Sequence, residues 1–217
     1  MRSRIAWLSL FALCLTLPGV LAMADTIYDN GPINGTTDAW TINFGFVVSD
    51  TFIVPGNGDV VNGLSFGAWL FPGDTLTSAE VSITSDEFGG TTYFDGTVNF
   101  TQSNCTTNQY GYNVCTETGN FSDTNLAGGT YWLNLQNASV PNGDPVYWDE
   151  NSGPSSASEN ELGTVPSEAF TVMGSSAVTT CGTGGCGEPF EPSTLVLFGS
   201  GMVGLAGRAY RMRRTRR

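Results

Sequence analysis

Apolar side chains occupy every second position in four stretches of this chain, and a period of two is typical of β-strands with one buried face. The four sets are Trp40, Ile42, Phe44, Phe46 and Val48; Leu64, Phe66, Ala68 and Leu70; Ala79, Val81 and Ile83; and Tyr131, Leu133 and Leu135. Shorter candidate strands lie at 51–54, 91–94, 98–101, 109–114, 146–148 and 169–173. The pattern predicts an all-β body.

Gly, Pro, Asn and Asp cluster between these stretches, as expected for tight turns. The clusters lie at 55–58, 72–74, 89–90, 95–96, 127–129 and 141–144. Many short strands at this spacing favour a β-sandwich or jelly-roll-like domain, which we place at residues 25–173. Within it, residues 151–165 are predicted to form a surface loop. Residues 174–187 are predicted to be a linker that contains Gly and Cys.

Charge is segregated along the chain. All 20 carboxylates lie between Asp25 and Glu191, whereas all eight Arg residues lie before Ile5 or after Gly207, and Lys and His do not occur. Nucleic-acid binding needs basic side chains against the phosphates, so no nucleic-acid partner is expected. The body also lacks the His or Lys needed for Ser-His-Asp or Cys-His catalysis and for His-ligated zinc. Mutual repulsion predicts that salt or divalent cations stabilise the body.

Residues 1–24 contain the three zones of a secretory signal peptide. Arg2 and Arg4 precede an apolar run at 5–17, which predicts a short signal helix, and Ala22 and Ala24 flank Met23 in a small-x-small cleavage pattern. We therefore expect export through the inner membrane and cleavage by signal peptidase after Ala24.

Residues 188–217 again contain three zones: a Glu/Pro turn, an apolar Gly-rich stretch at 195–207 and a terminal cluster of six Arg. Such an Arg cluster stays on the cytoplasmic side of a membrane. Residues 194–212 are therefore predicted to form a transient inner-membrane helix, with flanking polar side chains extending a short apolar stretch.

The string Glu191-Pro192-Ser193-Thr194 before this apolar stretch resembles the PEP-CTERM sorting signal. Members of that family carry Pro-Glu-Pro, and Phe190 replaces the first Pro here. The resemblance implies a Gram-negative bacterium that makes exopolysaccharide, an exosortase that cleaves near Glu191–Pro192, and delivery to the outer surface or extracellular matrix. The body also resembles the β-rich domains found upstream of such signals, at 129–133 and 144–149.

Four Cys residues follow the signal peptide, and an even number in an exported chain favours disulfides. They are Cys105, Cys115, Cys181 and Cys186. Three pairings can be drawn, of which we favour Cys105–Cys115 around a hairpin and Cys181–Cys186 around a Gly-rich loop. The spacing of the first pair lies outside the usual zinc knuckle.

Aromatic and acidic residues supply the candidate binding sites. Trp69 and Trp132 have the opposite parity to the apolar set of their strands and are predicted to point outward; with Trp148 they are the candidate sugar contacts. Packing beneath a loop or against a second sheet is the alternative explanation. The acids near Trp148 are candidate calcium ligands and a candidate hydrolytic pair, namely Asp144, Asp149 and Glu150.

Taken together, these features predict a non-enzymatic cell-surface or matrix protein with a structural or adhesive role in extracellular polysaccharide, as in a biofilm. No cofactor is expected apart from calcium. The alternative is a carbohydrate-binding β-sandwich module, which exposed aromatic side chains on one sheet face would favour. A carboxylate-based glycoside hydrolase is less favoured, because it needs two acids that converge in a cleft.

Overall fold

The computed structural model describes residues 25–176, which form twelve β-strands and no helix. The strands are β1 (Asp25–Asp29), β2 (Ala39–Thr41), β3 (Val47–Val54), β4 (Asp59–Leu70), β5 (Ser78–Asp86), β6 (Gly89–Thr107), β7 (Asn113–Leu126), β8 (Gly129–Ser139), β9 (Tyr147–Asp149), β10 (Ala157–Glu159), β11 (Gly163–Val165) and β12 (Phe170–Ser176). The all-β prediction is confirmed. The predicted signal helix and membrane helix lie outside the described residues.

All strands pair antiparallel in one curled sheet, in the order β1-β12-β4-β7-β6-β5-β8-β3-β10-β11, with β2 paired to β9 and β9 to β4. The 19-residue strand β6 connects the two halves of the sheet, because its first half pairs with β5 and its second half with β7. Tyr28 on β1 and Phe52 on β3 come from distant positions in the strand order, yet their ring centroids lie 6.4 Å apart. The sheet therefore curls around a core.

The alternating apolar residues predicted on β4, β5 and β8 all lie in this core. Its centre is aromatic: the Phe66 ring lies 5.2 Å from that of Phe100 and 6.0 Å from that of Trp148. The indole of Trp148 is fully buried, and its Nε1 donates to the carbonyl oxygen of Ala169 at 3.0 Å. The period-two pattern thus identified the inward face of these three strands correctly.

Residues 40–48 do not form one strand. β2 ends at Thr41 and β3 begins at Val47, and between them the Phe46 amide donates to the Asn43 carbonyl at 3.1 Å. Phe44 and Gly45 have φ values of 59° and 91°, the left-handed conformation of a type I′ turn. Phe44 is consequently 63% exposed. Phe44 fits the apolar alternation, but it lies at the tip of a turn and not on a buried face.

Two further predictions of local structure were wrong, one of a turn and one of a strand. Asp95 and Gly96 lie inside β6, where Gly96 pairs with Val81, so the candidate strands at 91–94 and 98–101 are parts of one strand. The predicted strand at 109–114 is a turn as far as Tyr112, because the Asn108 amide donates to the Tyr112 carbonyl, and β7 begins only at Asn113. At Asp95 and Gly96, the pairing of β6 with β5 therefore outweighs the local turn preference of the two residues.

The predicted surface loop at 151–165 contains two short strands. β10 pairs with β11 and also with β3, where Ala157 lies opposite Asp50. Ala157, Ser158 and Glu159 are all buried. Three residues are too few to show a period of two, so composition alone suggested a loop.

The predicted disulfide Cys105–Cys115 is present and joins β6 to β7. It closes the turn that carries Tyr110 and Tyr112. Cys181 and Cys186 lie outside the described residues.

Candidate functional site

A small pocket of about 100 Å³ opens on the face of the sheet opposite to the core. It is lined by residues from three strands and two loop ends: Asp38, Ala39, Trp69, Tyr112 and Tyr147. Trp69 on β4 and Tyr147 on β9 are directly paired in the sheet. Their side chains therefore lie side by side, as expected for opposite residues of an antiparallel pair.

Trp69 points away from the core, because its neighbours Ala68 and Leu70 both belong to the core cluster. It is nevertheless only 5% exposed. The turn between β6 and β7 lies over it: the Tyr110 ring stacks on the indole at 5.7 Å and 24°, and the Tyr112 ring lies 5.8 Å away. Packing beneath a loop, the alternative drawn from the sequence, describes Trp69 better than free exposure does.

The carboxylate of Asp149 orients the Trp69 indole through a hydrogen bond. Its Oδ1 accepts from Trp69 Nε1 at 2.6 Å and from the Gly35 amide at 2.9 Å, and its Oδ2 accepts from the Asn34 amide at 2.7 Å. Burial raises the pKa of Asp149, while these hydrogen bonds act in the opposite direction. Both carboxylate oxygens are thus engaged in holding one pocket wall against the loop between β1 and β2.

Gly67 makes this contact sterically feasible. A Cβ on Gly67 would lie 2.9 Å from the Cβ of Asp149 and 2.9 Å from Cγ1 of Ile33. Gly35 has a φ of +64°, which turns its amide toward Asp149. Two glycines therefore let the loop approach the sheet closely enough for Asp149 to receive its three donors.

Tyr112 and Tyr147 form the other side of the pocket, with ring centroids 5.5 Å apart in an edge-to-face arrangement. Burial raises the pKa of Tyr147 to about 12, and a hydrogen bond and an electrostatic interaction with Tyr112 contribute to the same shift. This phenol is therefore neutral near pH 7. The pocket offers aromatic ring surface, neutral hydroxyl groups and the carboxylate of the exposed Asp38.

The three acidic candidates for calcium binding or hydrolysis do not form one site. Burial, and then the charge of Asp74 and a hydrogen bond with it, raise the pKa of Asp144. Glu150 accepts from Trp40 Nε1 at 3.2 Å, and its pKa is raised chiefly by burial. Within residues 25–176, no group of three or more acidic, Cys or His side chains is arranged to hold a metal ion.

The remaining Trp candidates lie away from the pocket. Trp132 on β8 is half-buried between Thr51 on β3 and Thr84 on β5. Trp148 is fully buried in the core, so a ligand has no access to its indole. Of the three proposed sugar contacts, only Trp69 lines the pocket. No sequence pattern was used to predict Asp38, Tyr110 and Tyr112, although the pair Tyr-x-Tyr between two bridged cysteines was a usable indication.

A second group of acids lies buried near one end of the sheet. Burial raises the pKa of Asp50 to about 6, although its Oδ2 accepts from the Glu168 amide at 2.8 Å. Burial first, and then the charges of Asp50, Glu150, Asp149 and Asp38, raise the pKa of Glu168 well above its usual range. Neither oxygen of the Glu168 carboxyl group has a hydrogen-bond partner among the described residues. Because Glu168 is fully buried, no substrate can reach it.

The chain matches no protein-family model and no curated protein. The resemblance of its C-terminal residues to a sorting signal therefore stays a prediction, and Ala22, Ala24, Glu191, Pro192, Ser193 and Thr194 lie outside the described residues. In the part of the chain that the structure describes, no helix has the length and apolarity needed to cross a membrane.

Proposed function

We propose that this chain is an exported, exosortase-processed protein of the cell surface or extracellular matrix that attaches to extracellular polysaccharide through the pocket at Trp69. The pocket carries this proposal. Aromatic rings of Trp69, Tyr112 and Tyr147 line one concave site on the outer face of the sheet, and the half-buried Tyr112 and Tyr147 leave ring surface that a sugar can contact. The role is binding and adhesion without catalysis, consistent with a carbohydrate-binding module.

The construction of the pocket supports a binding role. Asp149 and the disulfide-closed turn hold the aromatic walls in place without a ligand, so little ordering has to accompany binding. We also propose that the body is a β-sandwich or jelly roll. In the curled sheet, the half that contains β3 and β8 lies across the core from the half that contains β4 and β12.

The strands described are compatible with the proposed processing. Every strand described lies between Asp25 and Ser176. Cleavage after Ala24 and near Glu191 would leave all of these strands intact. The body would then leave the inner membrane as a folded, acidic, pocket-bearing domain.

Recovery of the protein from the polysaccharide fraction of the producing bacterium tests this proposal. We expect the wild-type protein to co-purify with that fraction, with an N-terminus at Asp25 and a C-terminus near Glu191 by mass spectrometry. Tyr147→Leu should lower retention about tenfold, because it removes one aromatic wall. Tyr93→Leu is the matched control, since Tyr93 is 41% exposed and does not line the pocket.

Equal retention of the Tyr147→Leu and Tyr93→Leu variants would refute binding through the pocket. Full-length, uncleaved protein inside the cell would refute the export pathway. The two parts of the proposal are therefore tested separately in one preparation.

A further inference from the structure

The pocket is too small for a whole oligosaccharide. Its volume of about 100 Å³ lies well below the range of pockets that enclose drug-sized ligands, roughly 300–1,000 Å³. It therefore takes one substituent of a sugar, while the rest of the polymer lies across the surface. The chemistry of that substituent is set by the groups that line the pocket.

Those groups favour a positively charged substituent. Trp and Tyr rings attract cations to their faces through their quadrupoles. The Tyr112 ring contacts both of the others, with centroid distances of 5.8 Å to Trp69 and 5.5 Å to Tyr147, and all three rings line the same small pocket. Asp38 adds an exposed carboxylate at the pocket lining.

The charge around the pocket points in the same direction. Asp149 accepts a hydrogen bond from Trp69 of the pocket lining, and the adjacent Glu150 accepts one from Trp40. Across residues 25–176 there is no Lys, Arg or His, while all the carboxylates of the chain except Glu188 and Glu191 fall in this range. The negative electrostatic field of these carboxylates attracts cationic ligands and repels polymers of uronic acids.

We propose that the pocket binds the protonated amino group of an amino sugar, so that the ligand is a polysaccharide with free amines and not a neutral or uronic-acid polymer. This inference rests on the proposed function and narrows its ligand class. The ammonium group would sit among Trp69, Tyr112 and Tyr147 and face the Asp38 carboxylate.

Titration of the exported protein with three oligosaccharides tests the inference. The probes are glucosamine oligomers, their fully N-acetylated counterparts and oligogalacturonates, measured by calorimetry at mildly acidic pH. Glucosamine oligomers should bind about tenfold more tightly than the N-acetylated oligomers, and oligogalacturonates should not bind. Asp38→Asn should lower the affinity for glucosamine oligomers about tenfold, whereas Asp95→Asn, an exposed acid outside the pocket, should leave it unchanged.

Equal or tighter binding of the N-acetylated oligomers would overturn this inference and leave the proposed function standing. Equal effects of Asp38→Asn and Asp95→Asn would also overturn it, because only the net charge would then matter. Failure of all three oligosaccharides to bind would overturn this inference, whereas the proposed function is refuted separately by equal retention of the Tyr147→Leu and Tyr93→Leu variants. A Lys-rich peptide that binds where no oligosaccharide does would identify a protein partner and overturn both.

Discussion

Glu117 is a carboxyl side chain that the fold buries completely in the middle of β7. It lies opposite Phe66 on β4 and Gln102 on β6. Neither of its oxygens has a hydrogen-bond partner among the described residues. Burial raises its pKa to about 8, so the side chain is mostly protonated at pH 7. The absence of any basic residue in the body leaves protonation as the way to neutralise it.

Stability should therefore fall as the pH rises. The folded-state pKa of Glu117, about 8, exceeds the ordinary value of 4.5, so the folded chain holds this proton more tightly than the unfolded chain. Its contribution is fully present below pH 4.5 and is lost as the pH rises through 8. One such group lowers the free energy of unfolding by about 1.4 kcal/mol per pH unit in that window.

We predict that Glu117→Gln weakens this pH dependence and makes the protein more stable than wild type at pH 8. The Gln side chain does not ionise, so a rise in pH no longer favours the unfolded chain through this position. Urea unfolding at pH 5 and pH 8 measures both effects. Glu161→Gln, at an exposed position, controls for the loss of one carboxyl group. A Glu117→Gln variant with the wild-type slope would contradict the prediction.

Trp69 illustrates what can be predicted for a single residue. Parity along β4 correctly indicates which face of the sheet its side chain is on, because successive side chains alternate. Parity does not indicate that Tyr110 and Tyr112 cover that face, since the turn that carries them is 40 residues further along the chain. The burial of this Trp is a long-range property.

At the scale of elements, the turn between β6 and β7 is the part of the fold on which the pocket depends. It supplies Tyr112 to the lining and Tyr110 to the stack on Trp69. The disulfide Cys105–Cys115 closes it, and Gln109 Nε2 donates to the Thr36 carbonyl of the loop between β1 and β2 at 3.2 Å. Two loops that are far apart in the sequence thus meet at the pocket.

Replacing both cysteines, Cys105→Ser with Cys115→Ala, should lower the free energy of unfolding by about 2–3 kcal/mol, because the unfolded chain gains conformational freedom. Amide hydrogen exchange at 107–112 should also become faster, since the turn loses its closure. Denaturation and exchange mass spectrometry measure the two effects. Reduction of the wild-type protein is the matched control and should reproduce them. Unchanged exchange in the turn would show that the disulfide does not order it.

At the scale of the whole molecule, the body at residues 25–176 is a polyanion that contains no Lys, Arg or His. Residues 25–176 contain no basic side chain, so no carboxylate in this range can pair with a cation from within it. Burial therefore raises the pKa values of Asp50, Glu117 and Glu168 with no nearby cation to oppose it. Repulsion among the exposed acids adds a cost that depends on ionic strength.

We predict that raising NaCl from about 0.01 M to about 1 M increases the melting temperature, because the screening length falls from about 30 Å to about 3 Å. A gain of about 1 kcal/mol corresponds to about 2–4 °C for a domain of this size. Calorimetric scans at pH 7 provide the measurement. CaCl2 at equal ionic strength is the comparison: a larger shift with calcium would indicate specific binding. An unchanged melting temperature in NaCl would contradict the repulsion argument.

The sequence alone determined the all-β class, the inward faces of β4, β5 and β8 and the lack of basic residues in the body, and it favoured the Cys105–Cys115 pairing that the structure contains. These follow from side-chain chemistry and short-range periodicity, which act within a few residues. Only the tertiary structure decided that β6 is continuous, that 157–165 pairs as β10 and β11, and that Asp38, Trp69, Tyr112 and Tyr147 share a pocket. These depend on contacts between segments far apart in the chain, whose free energy outweighs the local preferences that sequence patterns express.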